Sequence, residues 1–178
     1  ITVNDALSGS AGVTAINAIL AASDTGVTAT ISGNYSDLAN ITAASSDTGN
    51  SYLAITVDDA VTASQANTVT GLTDNAVVTY GAGISDTLGN LSSGGSIVTN
   101  LTNATAKDTN VTVTISDSNG TSVSASDLSA VGSSTTGTVT VSNAVNISGT
   151  QSEVTAALVT SSSKVTASTA NVTVTSAV

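Results

Sequence analysis

Short stretches of alternating apolar and polar side chains recur along this chain. They include Val27–Ile31, Val111–Ile115 and Val172–Thr175, and the more apolar stretch Tyr52–Val57 is also predicted to be a strand. A period of two places the apolar side chains on one face of an extended segment and the polar ones on the other. Each stretch is therefore predicted to be a strand with one buried face.

Other stretches place their apolar residues three or four positions apart, which is the spacing of one helix face. Residues 13–20 carry Val13, Ile16, Ile19 and Leu20, and residues 63–72 carry Ala66, Val69 and Leu72. The run Thr150–Glu153 has the spacing of a capping box ahead of Val154–Val159. These three regions are predicted to be short helices.

One sequence segment of about eleven residues is repeated along the chain. Ile55–Gln65 closely matches Ile1–Ala11, and Val139–Thr150 is a looser copy with one residue inserted. Such self-similarity is typical of stacked supersecondary units. We therefore expect an α/β or mostly β chain, a repeat solenoid of stacked parallel strands with short helices. The alternative is an all-β parallel helix, because Thr, Ser and Val are poor helix formers.

The expected domain organisation is a single array over residues 1–178 with rungs about 24 residues long. The alternation of strand-like and helix-like segments is interrupted over residues 92–110, where Gly94–Gly95 and a polar run predict an irregular stretch. Asn119–Gly120 predicts a tight turn that would allow a local hairpin. Both ends read as strand without a polar capping repeat, so the array is expected to have uncapped ends.

The composition restricts the core. The chain has no Cys, Met, Trp, Phe or Pro, and Tyr35, Tyr52 and Tyr80 are its only aromatic residues. Since aromatic side chains supply much of the bulk of ordinary cores, a thin core of Val, Ile, Leu and Ala is expected.

The formal net charge is −10, with 12 acidic residues against two lysines and no histidine. A nucleic-acid binder needs a basic surface to release counterions, and an anionic membrane surface attracts basic segments. The charge argues against both partners. The longest apolar run, residues 15–22, is interrupted by Asn17 and is far too short to cross a bilayer. Membrane insertion is not expected.

Two triplets, Asp24–Gly26 and Asp47–Gly49, spell the tripeptide of aspartic proteases. That chemistry needs two carboxylates that share a proton between bulky apolar strands. Here small and polar residues precede both triplets, which fits repeat-equivalent turns. A serine triad has no histidine and a thiol mechanism has no cysteine. We expect that the protein is not an enzyme and has no organic cofactor.

Calcium is the one metal that these residue types allow, because it takes oxygen ligands. The candidate ligands lie in turns: Asp24, Asp47, Asp58 and Asp59. Neither an EF-hand spacing nor a Gly-Gly-x-Gly-x-Asp nonapeptide is present. The alternative is that these are solvated turn carboxylates.

Nine Asn-x-Ser/Thr triplets are candidate glycosylation sites. They begin at Asn34, Asn40, Asn90, Asn100, Asn103, Asn110, Asn119, Asn146 and Asn171. Ser and Thr are so common here that many such triplets arise by chance, so the sequence allows glycosylation without requiring it.

Val27–Gly33 and Ile55–Asn67 resemble the β-strand repeats of giant secreted surface and adhesin proteins of bacteria, cyanobacteria especially. The resemblance implies an extracellular, cell-surface location and a surface, matrix or filament role. Some of those proteins also carry calcium-binding secretion repeats. The resemblance implies no catalytic residue for this chain.

These observations predict an extracellular structural protein, the solenoid unit of a self-assembling filament, sheath or surface layer. Its partners would be copies of itself head to tail, or neighbouring repeats of a longer chain, because open strand edges pair with other strands. The predicted assembly ends are Ile1, Thr2, Val3, Val172, Thr173 and Val174. The alternative function is an adhesin segment that binds glycan or a surface. It predicts an outward row that includes Thr28, Thr30, Thr56, Thr112 and Thr114.

Overall fold

The computed structural model describes residues 1–23, 25–42, 51–74 and 76–175. Strands and helices alternate along most of this part of the chain. The strands are β1 (Leu7–Ser8), β2 (Thr28–Gly33), β3 (Tyr52–Val57), β4 (Val78–Tyr80), β5 (Ile84–Asp86), β6 (Ser92–Ser93), β7 (Ser96–Ile97), β8 (Val113–Ile115), β9 (Ser122–Ser124), β10 (Val139–Val141), β11 (Asn146–Thr150), β12 (Val165–Thr166) and β13 (Asn171–Thr175). The helices are α1 (Gly9–Ala21), α2 (Tyr35–Leu38), α3 (Ala63–Thr70), α4 (Leu88–Leu91), α5 (Thr99–Lys107), α6 (Ala125–Ser134) and α7 (Gln151–Leu158).

The strands form four separate sheets. Sheet 1 has the order β1-β2-β3-β4, sheet 2 has β12-β10-β8-β5, and sheet 3 has β13-β11-β9. All pairs in these three sheets are parallel, and paired residues lie 23 to 29 positions apart in sequence. Sheet 4 is the antiparallel pair β6-β7.

The prediction of a repeat solenoid of stacked parallel strands was therefore wrong. The described strands divide among separate sheets, one of them antiparallel, and seven helices lie between them. The all-β alternative was wrong because of those helices. The structure is a mixed α/β fold.

A long-range contact lies on the outer edge of β4, the last strand of sheet 1. The Tyr80 N–H points away from β3 and donates to Asp108 Oδ2 at 2.9 Å, instead of to the carbonyl of a further strand. Asp108 lies 28 residues along the chain and belongs to the segment that follows α5. A side chain thus satisfies one backbone N–H on the outer edge of β4.

Over residues 92–110, where the sequence predicts an irregular stretch, the chain forms sheet 4 and then α5. Gly94 and Gly95 make the turn of the β6-β7 pair with φ of 62° and 77°. Positive φ costs glycine little because it lacks a Cβ atom. The turn at Asn119–Gly120 is also formed, with φ of 78° at Gly120. It does not make a local hairpin, because β8 and β9 belong to different sheets.

Three helices, α3, α6 and α7, begin after a residue whose side chain accepts a hydrogen bond from the first helical turn. Thr62 and Gln65 form a capping box at α3, and the predicted box of Thr150 and Glu153 is confirmed at α7. Each box satisfies N–H groups that a helix start leaves unpaired. In α1, Val13, Ile16 and Leu20 are buried as the periodicity predicts.

One apolar core of small aliphatic side chains lies between the sheets and the helices. Ile31, Ile55, Ile115 and Ile147 face it from the three parallel sheets and are almost fully buried. Tyr80 is the one aromatic residue buried within it, and its hydroxyl donates to Ala66 O at 2.9 Å. Burial, and then the charge of Asp108, raise the pKa of the Tyr80 hydroxyl well above its usual range.

Candidate functional site

Two of the four candidate calcium ligands, Asp58 and Asp59, lie among the described residues. Asp24 and Asp47 lie outside the described part of the chain. Asp58 is exposed, while Asp59 is half-buried and its Oδ1 accepts the Tyr35 N–H at 2.8 Å. In residues 1–23, 25–42, 51–74 and 76–175, no three Asp, Glu, His or Cys side chains form a group that could hold a metal ion.

Asp59 is one of three aspartates whose carboxylates accept a hydrogen bond from the start of a helix that lies earlier in the chain. Asp59, Asp86 and Asp117 accept the N–H of the first residue of α2, α3 and α4, at 2.8, 3.1 and 2.7 Å respectively. A helix N-terminus carries partial positive charge and unpaired N–H groups, so a carboxylate is stabilised there. These aspartates therefore tie successive parts of the fold together.

Sequence reasoning missed this role, although a signal was present. Asp86 is the last residue of β5, and Asp59 and Asp117 lie two residues after the ends of β3 and β8. The partner of each aspartate lies 23 to 29 residues earlier, which is the spacing of the parallel strand pairs. Since the strands recur at this spacing, the sequence could have predicted that each of these carboxylates lies beside the start of a helix one such spacing earlier in the chain.

At the N-terminal edge, residues 1–3 pair in parallel with the start of β2. The Val3 N–H donates to Thr28 O, and the Thr28 N–H donates to Ile1 O, both at 2.8 Å. Because N–H and C=O groups of successive strand residues point to opposite sides, those of Thr2 face away from β2. Ile1 is 58% exposed. The N-terminal edge thus has unpaired backbone groups and an exposed apolar side chain.

At the C-terminal edge, β13 pairs with β11 and with no other described strand. The Asn171 N–H donates to Val145 O, so the backbone groups of Val172 and Val174 face away from β11. All five residues of β13 are exposed, including Val172 at 46% and Val174 at 54%. In the described chain this is the longest strand with an open side.

The predicted outward threonines do not form one row. Thr28 and Thr30 lie on sheet 1 opposite Tyr52 and Ala54, whereas Thr114 lies on sheet 2 and Thr112 directly precedes its strand β8. Two other rows of hydroxyls cross the sheets in register. Sheet 1 carries Ser8, Ser32, Thr56 and Thr79, and sheet 2 carries Ser85, Thr114, Thr140 and Thr166. Neighbouring strands put such hydroxyls about 4.8 Å apart.

The nine asparagines of the Asn-x-Ser/Thr triplets differ in their surroundings. Six have side chains that hydrogen-bond to described residues: Asn40, Asn90, Asn103, Asn119, Asn146 and Asn171. The side chains of Asn34, Asn100 and Asn110 make no such bond within the described part of the chain. Asn34 and Asn110 are also exposed, whereas Asn100 is half-buried in α5. The side-chain amides of Asn34 and Asn110 are thus the freest of the nine for modification.

None of the helices in the described ranges is both long enough and apolar enough to cross a membrane. Comparison of the chain with protein-family models, with curated proteins and with solved structures found no match.

Proposed function

We propose that the protein is an extracellular structural protein that associates with copies of itself, or with neighbouring repeats of a longer chain, by pairing of exposed strands. The observation that carries the proposal is the open side of β13, with its unpaired backbone groups and two exposed valines. Unpaired strand edges are templates for pairing with another chain. No Pro or Lys lies within β13 to prevent this.

The apolar side chains of β13 support the same conclusion. Val123, Ile147 and Val172 are register partners across sheet 3, and their exposed fractions are 5%, 0% and 46%. The first two are covered by other parts of the fold, and the third lacks that cover. Full burial of a valine stabilises by roughly 1.5–3 kcal/mol. A strand that covered Val172 and Val174 would gain this in addition to its hydrogen bonds.

The composition favours an extracellular structural role over catalysis. The surface is rich in Ser, Thr and Asn, and the chain has no His or Cys. Nucleophilic and acid–base chemistry mostly uses those two residue types or paired carboxylates. We propose no enzymatic activity for this protein.

A double substitution with a charge-matched control tests the proposal. Val172→Lys/Val174→Lys places two charges on the open edge, which opposes strand pairing. Val77→Lys/Val159→Lys changes the net charge equally at two valines that are 61% and 74% exposed and lie outside the strands. Sedimentation velocity over a range of protein concentrations is the measurement.

We expect the native chain and the Val77/Val159 variant to form larger species as concentration rises, and the Val172/Val174 variant to remain monomeric. The far-ultraviolet circular dichroism of all three should agree, since β13 lies at the edge of the fold. If the native chain is monomeric throughout, or if both variants associate equally, β13 is not an association surface.

The hydroxyl rows favour a second function, recognition of a flat glycan surface. Thr140 and Thr166 are exposed register partners on sheet 2, and they continue the row of Thr114 and Ser85. Co-sedimentation with insoluble polysaccharide compares the native chain with Thr140→Val/Thr166→Val, which removes two hydroxyls and keeps the side-chain shape. Equal binding by both proteins would exclude the row from glycan recognition.

A further inference from the structure

Asp108 differs from the other aspartates of the fold in its electrostatic position. It is only 7% exposed and it is the C-cap residue of α5. The carboxyl end of a helix carries partial negative charge, so a carboxylate there is destabilised. Asp59, Asp86 and Asp117 instead accept N–H groups at helix starts, where their charge is favoured.

The protein groups around Asp108 compensate its charge incompletely. Oδ2 accepts the Tyr80 N–H, and Oδ1 has no hydrogen bond with any described residue. The adjacent Lys107 does not neutralise it, since its Nζ donates to Asp74 O at 2.7 Å and to Ala76 O at 3.4 Å. Within the described chain Asp108 makes no ion pair. A buried carboxylate without a cationic partner is costly.

The free oxygen of Asp108 is open to a small pocket. No side-chain polar atom of the described residues is both fully enclosed and without a partner, so Oδ1 must be reachable from solvent. Asp108 lines a pocket of about 240 Å³ between the edge of β4 and the start of β8. Its other oxygen-bearing side chains include those of Thr79, Asn110 and Thr112.

We propose that this pocket binds a hard divalent cation, and that Ca²⁺ fits it best. Every side-chain donor named there is an oxygen, as Ca²⁺ prefers, and the side chain of Asn110 is not used by another described residue. Ca²⁺ accepts irregular and partly hydrated coordination, whereas Mg²⁺ demands a near-ideal octahedron. The cation would offset the buried charge of Asp108 and the negative end of α5 together.

One carboxylate gives modest affinity. Calcium affinity falls as the number of charged ligands falls, and the weak sites of extracellular modules have dissociation constants on the order of 10⁻⁴ to 10⁻³ M. Such a site would be filled at the millimolar calcium of an extracellular medium. The inference is independent of the strand-pairing proposal, because β13 contributes nothing to this pocket.

Calorimetric titration with CaCl₂ tests the site, and Tb³⁺ provides a second probe. Tb³⁺ substitutes for Ca²⁺ and emits when a nearby tyrosine is excited, and Tyr80 also lines the pocket. Asp108→Asn keeps an oxygen for the Tyr80 N–H and removes the charge. Asp117→Asn is the matched control, because it changes another carboxylate that accepts a backbone N–H, that of Leu88, and lies outside the pocket.

We expect saturable Ca²⁺ binding and tyrosine-sensitised Tb³⁺ emission for the native chain and for Asp117→Asn. Asp108→Asn should weaken both by at least tenfold. If Asp108→Asn does not fold, Asn110→Ala removes a candidate ligand that makes no side-chain hydrogen bond to the described chain, and it should weaken binding several-fold. Absence of saturable binding up to about 10 mM Ca²⁺, or equal binding by Asp108→Asn, overturns the proposal; the expected affinity range sets that limit.

Discussion

Replacement of Asp86 by alanine tests the interaction that joins the start of one helix to the end of a later strand. Asp86 is 7% exposed, and its carboxylate accepts three hydrogen bonds. They come from the Ala63 N–H at 3.1 Å, the Thr87 N–H at 2.9 Å and the Asn90 side-chain amide at 2.7 Å. Ala63 begins α3, so the first of these bonds crosses 23 residues.

The loss in free energy of unfolding that Asp86→Ala causes depends on whether each of the three donors finds another acceptor. The amide of Asn90 is exposed and turns to water, and Thr87 is exposed as well. Ala63 is 1% exposed, so its N–H is left buried without an acceptor, which costs about 1–3 kcal/mol. Loss of the favourable charge at the start of α3 adds about 0.3–1 kcal/mol. Since the variant also avoids burying a charge, which offsets part of these costs, we expect a net loss of about 1–3 kcal/mol.

That loss would be a large fraction of a typical unfolding free energy of about 5–15 kcal/mol. Urea unfolding followed by circular dichroism measures it, with the midpoint as the readout and the slope as a check that the transition stays two-state. Asp58→Ala is the control because Asp58 is exposed and its side chain makes no hydrogen bond with described residues. It makes the same change in net charge and should shift stability by no more than about 0.5 kcal/mol. Equal midpoints for the two variants would refute the role assigned to the Asp86 carboxylate.

Two further predictions concern the core and the glycines. The raised pKa of Tyr80, caused by burial and then by Asp108, stabilises the fold while the unfolded-state hydroxyl is protonated, below a pH of about 10. That contribution should be lost as pH rises further, and Tyr80→Phe should remove this part of the alkaline decline in urea midpoints. Gly132 and Gly89 both lie in helices, where alanine is intrinsically favoured by about 1 kcal/mol. A Cβ at Gly89 meets nothing within 4 Å, so Gly89→Ala should raise the melting temperature. A Cβ at Gly132 would overlap the carbonyl oxygen of Ser163, so Gly132→Ala should lower it, and a rise would show that the contact relaxes without cost.

The structure also determines which carboxylates are available to a ligand. Asp59, Asp86 and Asp117 each accept a backbone N–H at the start of a helix, so one oxygen or both are already used there. Asp108 has the same residue type and a similar distance to its partner along the chain. Only its place at a helix end, and the unused oxygen beside a pocket, distinguish it. Residue counts and spacing cannot separate these two cases.

Local structure was predictable wherever neighbouring residues decide it. The strand at Tyr52–Val57 has the predicted bounds, and the capping box of Thr150 and Glu153 begins α7 as predicted. The side-chain pattern of a strand and the capping of a helix involve residues a few positions apart, so the local sequence determines them. Helix α5 was missed because its residues are mostly polar and small, and only Leu101, Ala104 and Thr105 are buried.

The arrangement of the strands was decided by tertiary contacts. The strands of sheets 1, 2 and 3 have nearly the same sequence character, so nothing local indicates which sheet a strand joins. At the outer edge of β4, where sheet 1 ends, the Tyr80 N–H donates to Asp108, which lies 28 residues away. β8 and β9 join different sheets despite the turn between them, because each finds a register partner on a distant strand. The sequence by itself determined that this chain forms short strands, short helices and a thin aliphatic core. Pairing across 23 to 29 residues, which depends on the loops and side chains between the partners, determined three separate parallel sheets, and the local antiparallel pair β6-β7 forms the fourth sheet.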